Sequence, residues 1–278
     1  MKMDNYKRVL TVQDISCVGQ CSLTVALPIL SACGHETAII PSAVLSTHTG
    51  GFTGFTCRDL TSDIPGIAAH WSKEKIYFDA VYTGYLGSAE QVDYVLDIMA
   101  KLGKPGCKKI VDPAMADNGK LYPAFDMDYV HKMAELCAKA DIVVPNITEA
   151  AFLTGTEYKG GYDQAYVRML CDKLLALGAK MVVLTGVGYC QGKTGVAVAD
   201  ADKLEYYEHE QLPKGCHGTG DVFASAFVGA LLRDHSALDA AKIAADYTLE
   251  CIRLTSVDPN HWYGVKFELL LGQLINRL

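Results

Sequence analysis

Short apolar runs alternate with longer segments of helical composition along most of this chain. Residues 8–12 form a short run with β-branched side chains, as in a buried parallel strand, and the polar residues Gln13 and Asp14 follow it. Residues 23–33 have the length and composition of a helix, and residues 36–43 again have the pattern of a strand. The N-terminal segment therefore predicts a β-α-β unit.

The same alternation continues through the middle of the chain. Strands are predicted at residues 80–83, 109–111, 142–144 and 181–185, and helices at residues 89–102, 127–138 and 163–177. Alternation of this kind predicts an α/β protein in which a mostly parallel sheet carries helices on both faces. In such sheets the ligand binds at the carboxyl ends of the strands.

The last part of the chain departs from this alternation. Residues 195–199 and 203–209 predict an antiparallel hairpin, which a loop at residues 212–220 and a helix at residues 222–232 follow. No internal repeat or linker interrupts the 278 residues, a length within the range of one large α/β unit. We therefore expect residues 1–278 to form a single domain.

The balance of charges excludes one class of partner. The formal net charge is −7, and no basic run occurs anywhere in the chain. Nucleic-acid binding depends on clustered Lys and Arg, so we expect no nucleic-acid partner. A phosphorylated ligand would have to be held locally by backbone amides, a few lysines and a metal ion.

Other features of the sequence predict the cellular compartment. The N-terminal apolar run is only a few residues long before Gln13 and Asp14, so it lacks the form of a secretory signal. No run approaches the roughly 20 apolar residues of a membrane span. The ten cysteines are scattered without paired spacing, as reduced thiols would be. We therefore expect a cytoplasmic protein that has no membrane partner.

The most informative stretch is Gly-Cys-His-Gly-Thr-Gly-Asp at residues 215–221, which leads directly into a predicted helix. Closely spaced glycines let backbone amides face inward as an anion-binding nest, and the start of the helix adds to their field. The Asp221 carboxylate could accept a proton from a substrate hydroxyl while neighbouring amides hold the charge of a transferring phosphoryl group.

The alternative is that Thr219 and Asp221 only cap a helix. Three glycines within residues 215–220 favour a ligand site instead. The stretch is not a Walker loop, because it has no Gly-Lys-Ser/Thr, and Gly192-Lys193-Thr194 lacks the upstream glycine. It is not a dinucleotide fingerprint either, because it lies late in the chain and lacks the following strand and acidic residue.

Three motifs occur in a recognisable order. They are Gly218-Thr219-Gly220-Asp221, the run Asp-Pro-Ala-Met-Ala-Asp-Asn-Gly-Lys-Leu-Tyr at residues 112–122, and Pro-Asn-Ile-Thr-Glu-Ala at residues 145–150 with Leu-Thr-Gly at residues 153–155. The first resembles the signature of the ribokinase superfamily, and the others are similar to motifs of its pyridoxal kinases and hydroxymethylpyrimidine kinases. This resemblance covers nearly the whole chain. It implies a ribokinase-like three-layer α/β/α sandwich with a central, mostly parallel sheet.

The resemblance also implies an activity, a magnesium-dependent transfer of the γ-phosphate of ATP to a hydroxymethyl group. Asp221 would deprotonate the alcohol, and the backbone amides of Gly218, Thr219 and Gly220 would form the anion hole. Gly218 and Gly220 would thereby contact ATP as well. The family resemblance further implies a homodimer.

The metal end of the site is implied in the same way. Asn146 and Glu149 would organise Mg²⁺ and its waters, with Asp112 near the metal and the phosphates of ATP, because Mg²⁺ keeps several waters and takes few protein carboxylates. Asn146 and Glu149 also have the spacing of a helix capping arrangement. Both roles can hold together.

The substrate end is implied by two further similarities. Thr-Val-Gln-Asp at residues 11–14 and Ser-Thr-His-Thr-Gly at residues 46–50 are similar to the Ser-Val-Gln-Ser and Ser-Asn-His-Thr segments of pyridoxal kinases. They place Asp14, Thr47, His48 and Thr49 at the substrate, although a histidine such as His48, taken alone, is more often structural. Asp14 stands where those kinases have a serine, and its carboxylate would favour a protonated or amine-bearing ligand such as pyridoxamine.

Two other segments complete the comparison. Tyr85 lies in a Thr-Gly-Tyr segment similar to one near the substrate of pyridoxal kinases, where an aromatic ring would pack on a flat heterocycle, and core packing is the alternative. Thr185 and Gly186 open a Thr-Gly-Val-Gly run similar to the nucleotide-side loop of the superfamily. Pyridoxal kinases usually carry a Lys-Ser pair near that loop, and here Lys214 or Lys193 would take its place.

Three functions are consistent with these motifs. The leading one is phosphorylation of the 5′-hydroxymethyl group of pyridoxal, pyridoxine or pyridoxamine. A hydroxymethylpyrimidine kinase of thiamine synthesis is the alternative, but such kinases usually carry a cysteine within the glycine loop, where this chain has Gly218-Thr219-Gly220. A ligand-binding member of the fold without turnover would have no need of Asp221 as a base.

Overall fold

The computed structural model describes residues 6–213 and 216–278, and eleven strands lie within those ranges. In chain order they are β1 (Arg8–Ser16), β2 (Glu36–Leu45), β3 (Cys57–Asp59), β4 (Phe78–Thr83), β5 (Gly103–Val111), β6 (Ala116–Asp117), β7 (Lys120–Leu121), β8 (Ile142–Val143), β9 (Met181–Thr185), β10 (Lys193–Ala199) and β11 (Leu204–Glu210). Strands β6 and β7 pair only with each other, and the other strands form one central sheet.

Nine α-helices connect and flank these strands in the described ranges. They are α1 (Leu23–Ala32), α2 (Ile64–Lys73), α3 (Ala89–Lys101), α4 (Met127–Cys137), α5 (Ile147–Leu153), α6 (Gln164–Leu177), α7 (Thr219–Leu231), α8 (Ala237–Ser256) and α9 (Leu271–Arg277). Short 3₁₀ turns at Thr61–Asp63 and Glu268–Leu270 precede α2 and α9.

The central sheet has the strand order β11-β10-β9-β8-β5-β4-β1-β2-β3. The pairs from β9 through β8, β5, β4 and β1 to β2 are parallel, and β10, β11 and β3 add antiparallel edges. Because parallel strands end at the same edge of a sheet, the loops after β1, β4, β5, β8 and β9 meet there. That edge is where the candidate site lies.

The side chains of the central strands alternate between two helix layers. Val9 of β1 and Ala80 of β4 pack with α1, α7 and α8 on one face. Leu10 and Val81, the next residue of each strand, pack with helices α2 to α6 on the other face. This alternation with period two buries both faces of the sheet and produces the three layers. The predicted ribokinase-like α/β/α sandwich is confirmed.

Some predicted boundaries were wrong. Strand β1 runs through Gln13 and Asp14 to Ser16 instead of ending at residue 12, because the pairing with β2 continues beyond a register shift between Gln13 and Ile15. Helix α7 begins at Thr219, so Asp221 lies inside its first turn and not ahead of it. The apolar pattern did not predict β3, α2, α5, α8 and α9. Helix α8 buries mainly alanines, Ala240, Ala241, Ala244 and Ala245 among them, which carry a weak apolar signal.

Among the helices of the described ranges, none is both long enough and apolar enough to cross a bilayer.

Candidate active site

At Gly218, the glycine loop lies close to the backbone of Gln20, in the segment that precedes α1. Gly218 is the N-cap of α7 and has a left-handed backbone, with φ 79° and ψ 4°. A Cβ on Gly218 would lie 1.8 Å from the carbonyl oxygen of Gln20, so any side chain would force the two segments apart. Glycine is required here both by its φ and by this close approach.

Asp221 lies in the first turn of α7, directly behind this loop, and its side chain is half-buried. Burial raises the pKa of Asp221 to about 7; the Ser22 backbone amide beside the carboxylate opposes the rise, and the negative charge of Asp14 adds to it. Desolvation disfavours the charged form of a carboxyl group, and a nearby like charge does the same. Asp221 therefore has the protonation behaviour of a general base that works near neutral pH.

Ser22 links the two acidic residues and was missed by the sequence analysis. Its backbone has φ 55°, a strained value for a residue that is not glycine, and it stands at the N-cap position of α1 without capping that helix through its side chain. The Ser22 hydroxyl instead hydrogen-bonds the Asp14 carboxylate, which lowers the pKa of Asp14. A serine before an apolar helical run is a recognisable cap signal, but the sequence cannot show that its hydroxyl serves an acid elsewhere.

Asp14, one of the residues predicted at the substrate, is buried and only 5% exposed. The Ser16 hydroxyl donates to Asp14 Oδ2 at 3.1 Å. Burial raises the pKa of Asp14, and the Ser22 and Ser16 hydroxyls offset part of that rise. No Lys or Arg of the described chain forms an ion pair with it. Asp14 is thus a buried acid without a cationic protein partner.

His48 is held by two hydrogen bonds to the backbone. Its Nδ1 accepts the backbone N–H of Gly50 at 3.0 Å, and its Nε2 lies 2.7 Å from the carbonyl oxygen of Tyr263. Both ring nitrogens are therefore engaged by the protein. His48 therefore ties the loop at residues 46–50 to the C-terminal segment, and any contact with substrate would use the face or edge of its ring.

The other residues predicted at the substrate, Thr47, Thr49 and Tyr85, differ in how deeply they are buried. The Oγ1 atom of Thr47 is buried and has no hydrogen-bond partner in the described chain, whereas Thr49 is exposed. Tyr85 is half-buried, its ring lies 5.4 Å from that of Phe125, and burial followed by the charge of Asp14 raises its pKa to about 12. Thr47 and Tyr85 thus offer a hydroxyl and an aromatic ring beside the Asp14 carboxylate.

His217 was quoted within the glycine loop but given no role. Its ring centroid lies 5.2 Å from that of His48, and a Cβ on Gly50 would lie 2.7 Å from His217 Nδ1. Gly50 therefore has to be a glycine for His217 to approach. The glycine loop and the loop at residues 46–50 are in contact through this histidine pair.

Asp112 lies within electrostatic reach of both Glu149 and Asp221. Asp112 is 8% exposed, and its Oδ1 accepts the backbone N–H of Ala114 at 3.2 Å. Burial raises the pKa of Asp112 well above its usual range, and the charges of Glu149 and Asp221 raise it further. These carboxylates therefore disfavour one another's ionisation in the absence of a cation.

Asn146 and Glu149 form a complete capping box at the start of α5. Asn146 Oδ1 accepts the N–H of Glu149 at 2.9 Å, and Glu149 Oε2 accepts the N–H of Asn146 at 2.8 Å. Glu149 Oε1 also accepts the N–H of Met115 at 3.0 Å. Burial nevertheless raises the pKa of Glu149 to about 7. Both oxygens are engaged by the backbone, so a metal would reach Glu149 through a remaining lone pair or a water.

The residues present fit Mg²⁺ held in part by a nucleotide. No group of three or more His, Cys, Asp and Glu side chains in the described ranges could hold a metal ion by itself. Mg²⁺ does not require such a cage, because it commonly binds one or two carboxylates together with substrate phosphates and water. The mutual repulsion of Asp112, Glu149 and Asp221 is the electrostatic condition that a divalent cation relieves.

A cleft of about 320 Å³ lies along the ends of β8 and β9. Asn146, Thr185, Gly186 and Lys193 line it, together with Tyr158 and Tyr162. The Tyr162 hydroxyl donates to the carbonyl oxygen of Gly186 and accepts the N–H of Gly188, both at 3.1 Å, so it fixes the loop after β9. Lys214, the other predicted nucleotide contact, lies outside the described residues.

An α/β fold of this topology, with an acidic residue in the first turn of the helix behind a glycine loop, defines a kinase of the ribokinase superfamily. Residues 38–266 match the family model of the phosphomethylpyrimidine kinases. The chain belongs to this family.

Proteins similar to this chain are named either pyridoxal kinase or phosphomethylpyrimidine kinase. A pyridoxal kinase of Arabidopsis thaliana is 28% identical over 264 residues, which are 90% of this chain and 82% of that protein. A Bacteroides thetaiotaomicron protein provisionally named phosphomethylpyrimidine kinase superposes with a TM-score of 0.94 at 35% identity, covering 99% of this chain and 96% of that one. One crystal form of that protein contains pyridoxal. The pyridoxal kinase of Lactobacillus plantarum superposes with a TM-score of 0.89 at 31% identity, covering 97% of each chain.

Proposed function

We propose that this chain transfers the γ-phosphate of ATP to the 5′-hydroxymethyl group of pyridoxal, pyridoxine or pyridoxamine. The observation that carries the proposal is Asp221, a half-buried acid with a pKa of about 7 at the junction of the glycine loop, the acidic metal end and the substrate end. A base of this pKa is about half ionised at pH 7, and its ionised form takes a proton readily. The names of the Arabidopsis and Lactobacillus relatives and the pyridoxal in the Bacteroides crystal support the substrate class.

In this proposal each end of the site has its own task. Asp221 takes the proton of the substrate hydroxyl, and the amides of Gly218, Thr219 and Gly220 hold the charge that develops on the transferring phosphoryl group. The substrate ring lies at Asp14, Thr47, His48, Thr49 and Tyr85. The buried carboxylate of Asp14 favours a ligand that carries a protonated nitrogen, since no Lys or Arg of the described chain forms an ion pair with it.

ATP lies along the cleft that Asn146, Thr185, Gly186 and Lys193 line, with Lys214 near its phosphates. Asp112 and Glu149 would hold Mg²⁺, which would neutralise charge on the transferring group. The support for this placement is the charge of Glu149 and Asp221 on Asp112, together with Asn146, which lines the cleft and forms the capping box with Glu149.

The test is turnover of Mg²⁺-ATP by the purified protein with pyridoxal, pyridoxine, pyridoxamine and hydroxymethylpyrimidine at matched concentrations, monitored by ADP release. We expect substrate-dependent ADP release with at least one of the first three compounds, and product identified by mass as the phosphate monoester. Tight binding without turnover would instead identify a ligand-binding protein.

Hydroxymethylpyrimidine phosphorylation is the second candidate, because the matching family model and the Bacteroides relative carry that name. The glycine loop opposes it, since such kinases usually carry a cysteine within that loop and this chain has Gly218-Thr219-Gly220 there. A kcat/KM for hydroxymethylpyrimidine above those for all three pyridoxal-type substrates would establish it. We further infer a cytoplasmic homodimer formed by a single-domain chain, for which sedimentation equilibrium is the direct measurement.

A further inference from the structure

Three tyrosine side chains gather around the loop at residues 186–188, which follows β9 and lines the cleft at the ends of β8 and β9. Tyr162 comes from the segment before α6, Tyr206 from β11, and Tyr189 follows the loop directly. The ring centroid of Tyr189 lies 6.4 Å from that of Tyr162 and 4.8 Å from that of Tyr206. The three rings therefore form one aromatic group beside the loop.

Two of these tyrosines hydrogen-bond the backbone of the loop. The Tyr162 hydroxyl donates to the carbonyl oxygen of Gly186 and accepts the N–H of Gly188, both at 3.1 Å. The Tyr206 hydroxyl donates to the carbonyl oxygen of Val187 at 3.0 Å. Three consecutive residues of the loop are thus held by side chains from two different elements of the fold.

The loop leaves the sheet at Gly186, which explains why such partners are needed. Strand β9 ends at Thr185, and Gly186 has a φ of +69°, a left-handed value that turns the chain out of the strand direction. The N–H of Val187 donates to the carbonyl oxygen of Gly195 at 3.0 Å, which is a bond to β10. Other backbone groups of the loop lie outside this pairing and are bonded by the two tyrosine hydroxyls instead.

The position of Gly188 matters because its backbone packs on Lys193. A Cβ on Gly188 would lie 2.5 Å from the carbonyl oxygen of Lys193, so the close approach requires glycine. Lys193 lines the same cleft, and its Nζ lies 3.7 Å from a carboxylate oxygen of Glu208. The hydrogen bond between Gly188 and Tyr162 thus fixes the backbone that packs on a cationic residue of the cleft.

Both hydroxyls keep their proton at neutral pH and so remain hydrogen-bond donors. Burial raises the pKa of Tyr162, and burial followed by the charge of Glu208 raises that of Tyr206 to about 12. A tyrosine hydroxyl donates and accepts, which is what the two bonds of Tyr162 require. Phenylalanine keeps the ring and removes only the hydroxyl, so Tyr→Phe variants separate the hydrogen bonds from the packing.

We propose that Tyr162 and Tyr206 are positioning residues that hold the loop at residues 186–188 in the conformation that receives the nucleotide. They act through the loop, because their hydroxyls are bonded to its backbone. A loop that already has its bound conformation loses less conformational freedom when the ligand binds, which strengthens binding. The inference rests on the proposed function, which places ATP along this cleft. The two hydroxyls should therefore set the affinity for the nucleotide and leave that for the vitamer unchanged.

The direct test is titration calorimetry of the wild type, Tyr162→Phe and Tyr206→Phe with ADP in the presence of Mg²⁺, and separately with pyridoxal. Tyr162→Phe should raise the Kd of ADP about tenfold and Tyr206→Phe by a smaller factor, because the first loses two hydrogen bonds and the second one. The Kd of pyridoxal should stay at its wild-type value. An unchanged Kd of ADP in both variants, or an equal rise for both ligands, would overturn the proposal.

Steady-state kinetics give a second readout. In Tyr162→Phe, the KM for ATP should rise while kcat at saturating ATP and the KM for pyridoxal stay close to wild type, since the loss affects binding of one substrate. A lower kcat with an unchanged KM for ATP would contradict the positioning role.

The two proposals can fail separately. A wild-type protein that binds ADP without turning over any vitamer would refute the proposed function, and the Kd values of the variants would still decide the role of the hydroxyls. Turnover by the wild type, with variants that bind ADP equally well, would refute the positioning role alone. A wild type that does not bind ADP would refute both.

Tyr247→Phe is the matched control for the loss of a tyrosine hydroxyl. Tyr247 is 2% exposed, and its hydroxyl donates to the carbonyl oxygen of Phe267 at 2.8 Å, so it also bonds the backbone but not the loop beside the cleft. We expect this variant to have a lower Tm and a wild-type Kd for ADP. If Tyr247→Phe raised that Kd as Tyr162→Phe does, the effect would be general destabilisation and the positioning role would be wrong.

Discussion

The charge of Asp14 raises the pKa of Asp221, and Ser22 contacts both acids, through its hydroxyl and its backbone amide respectively. The residue that recognises the substrate in our proposal therefore also adjusts the base that activates it. A ligand with a protonated nitrogen beside Asp14 would neutralise that charge and lower the pKa of Asp221. Binding of such a ligand would thus favour the ionised, active form of the base.

The pH dependence of turnover follows from this relationship. Asp221 is protonated and inactive below its pKa of about 7, so kcat/KM should fall as the pH drops from 8 to 6. Asp14→Asn removes a neighbouring negative charge and should move this acidic limb to lower pH. Steady-state kinetics between pH 5 and 9 measure the acidic limb of the wild type and that of Asp14→Asn. Glu149 has a pKa of about 7 as well, and an acidic limb that stays in place in Asp14→Asn would assign it to that residue.

Replacing the base itself should remove the chemistry and leave binding intact. Asp221→Asn is expected to lower kcat by about 10²- to 10⁴-fold, the usual contribution of a general base. The Kd of the vitamer, measured by calorimetry, should change little. Asp97→Asn is the control, because Asp97 is an exposed partner of Lys101 on α3. A kcat for Asp221→Asn within about tenfold of wild type would show that Asp221 is not the base.

Asp14 should set the preference among substrates. Asp14→Ser restores the residue type of the pyridoxal kinases to which the sequence is similar and removes the buried charge. We expect kcat/KM to fall more for pyridoxamine, which carries an amine, than for pyridoxine, by about one order of magnitude, because a buried carboxylate stabilises a cationic partner. Competition between the two substrates gives this ratio directly. Equal losses for both would assign Asp14 a structural role only.

We expect residue 218 to tolerate no side chain and residue 220 to tolerate one. A Cβ at residue 218 would lie 1.8 Å from the Gln20 carbonyl oxygen at a φ of +79°, but a Cβ at residue 220 meets nothing within 4 Å. Gly218→Ala is expected to lower the Tm by several degrees and to abolish turnover, because the loop must move away from the residues before α1. Gly220→Ala, compared by thermal melting, should keep the Tm or raise it, since alanine favours a helix over glycine.

The stability of the ligand-free protein should depend on pH through Asp221. Its folded pKa of about 7 lies above the ordinary value of 3.8, so folding favours its neutral form. The stability from this group is complete below pH 3.8 and is lost as the pH rises through 7. Thermal melts should therefore show Asp221→Asn gaining Tm relative to wild type between pH 5 and pH 8. A constant difference across that range would mean that folding does not shift this pKa.

The sequence predicted the fold through patterns that are local. β-Branched runs and helical segments in alternation identified most of the parallel sheet, and they did so because both faces of each strand are buried. The pattern failed where the burial signal is weak or the element is short. Helix α5 has seven residues and follows β8 almost without a loop, and α8 packs through alanines.

The candidate site was predicted in the same uneven way. Asp221, Asp112 and Asn146 could be found because each stands beside a strand end or a helix start, in motifs that resemble a known superfamily. Ser22 could not, because its role arises from contacts with Asp14 and Asp221, which lie in other segments of the chain. The hydrogen bonds of His48 likewise involve Gly50 and Tyr263, and no motif spacing relates Tyr263 to the loop at residues 46–50.

By itself, the sequence determined the order of strands and helices, the glycine loop ahead of α7 and the identities of the acids, since these depend on residues near one another in the chain. Only the tertiary structure decided which acids share one electrostatic environment. The pKa of Asp221 is set by burial, by the Ser22 amide and by the charge of Asp14, none of which is local to α7. Electrostatic interactions depend on distance in space and on exclusion of water, and both exist only once the sheet has brought the strand ends together.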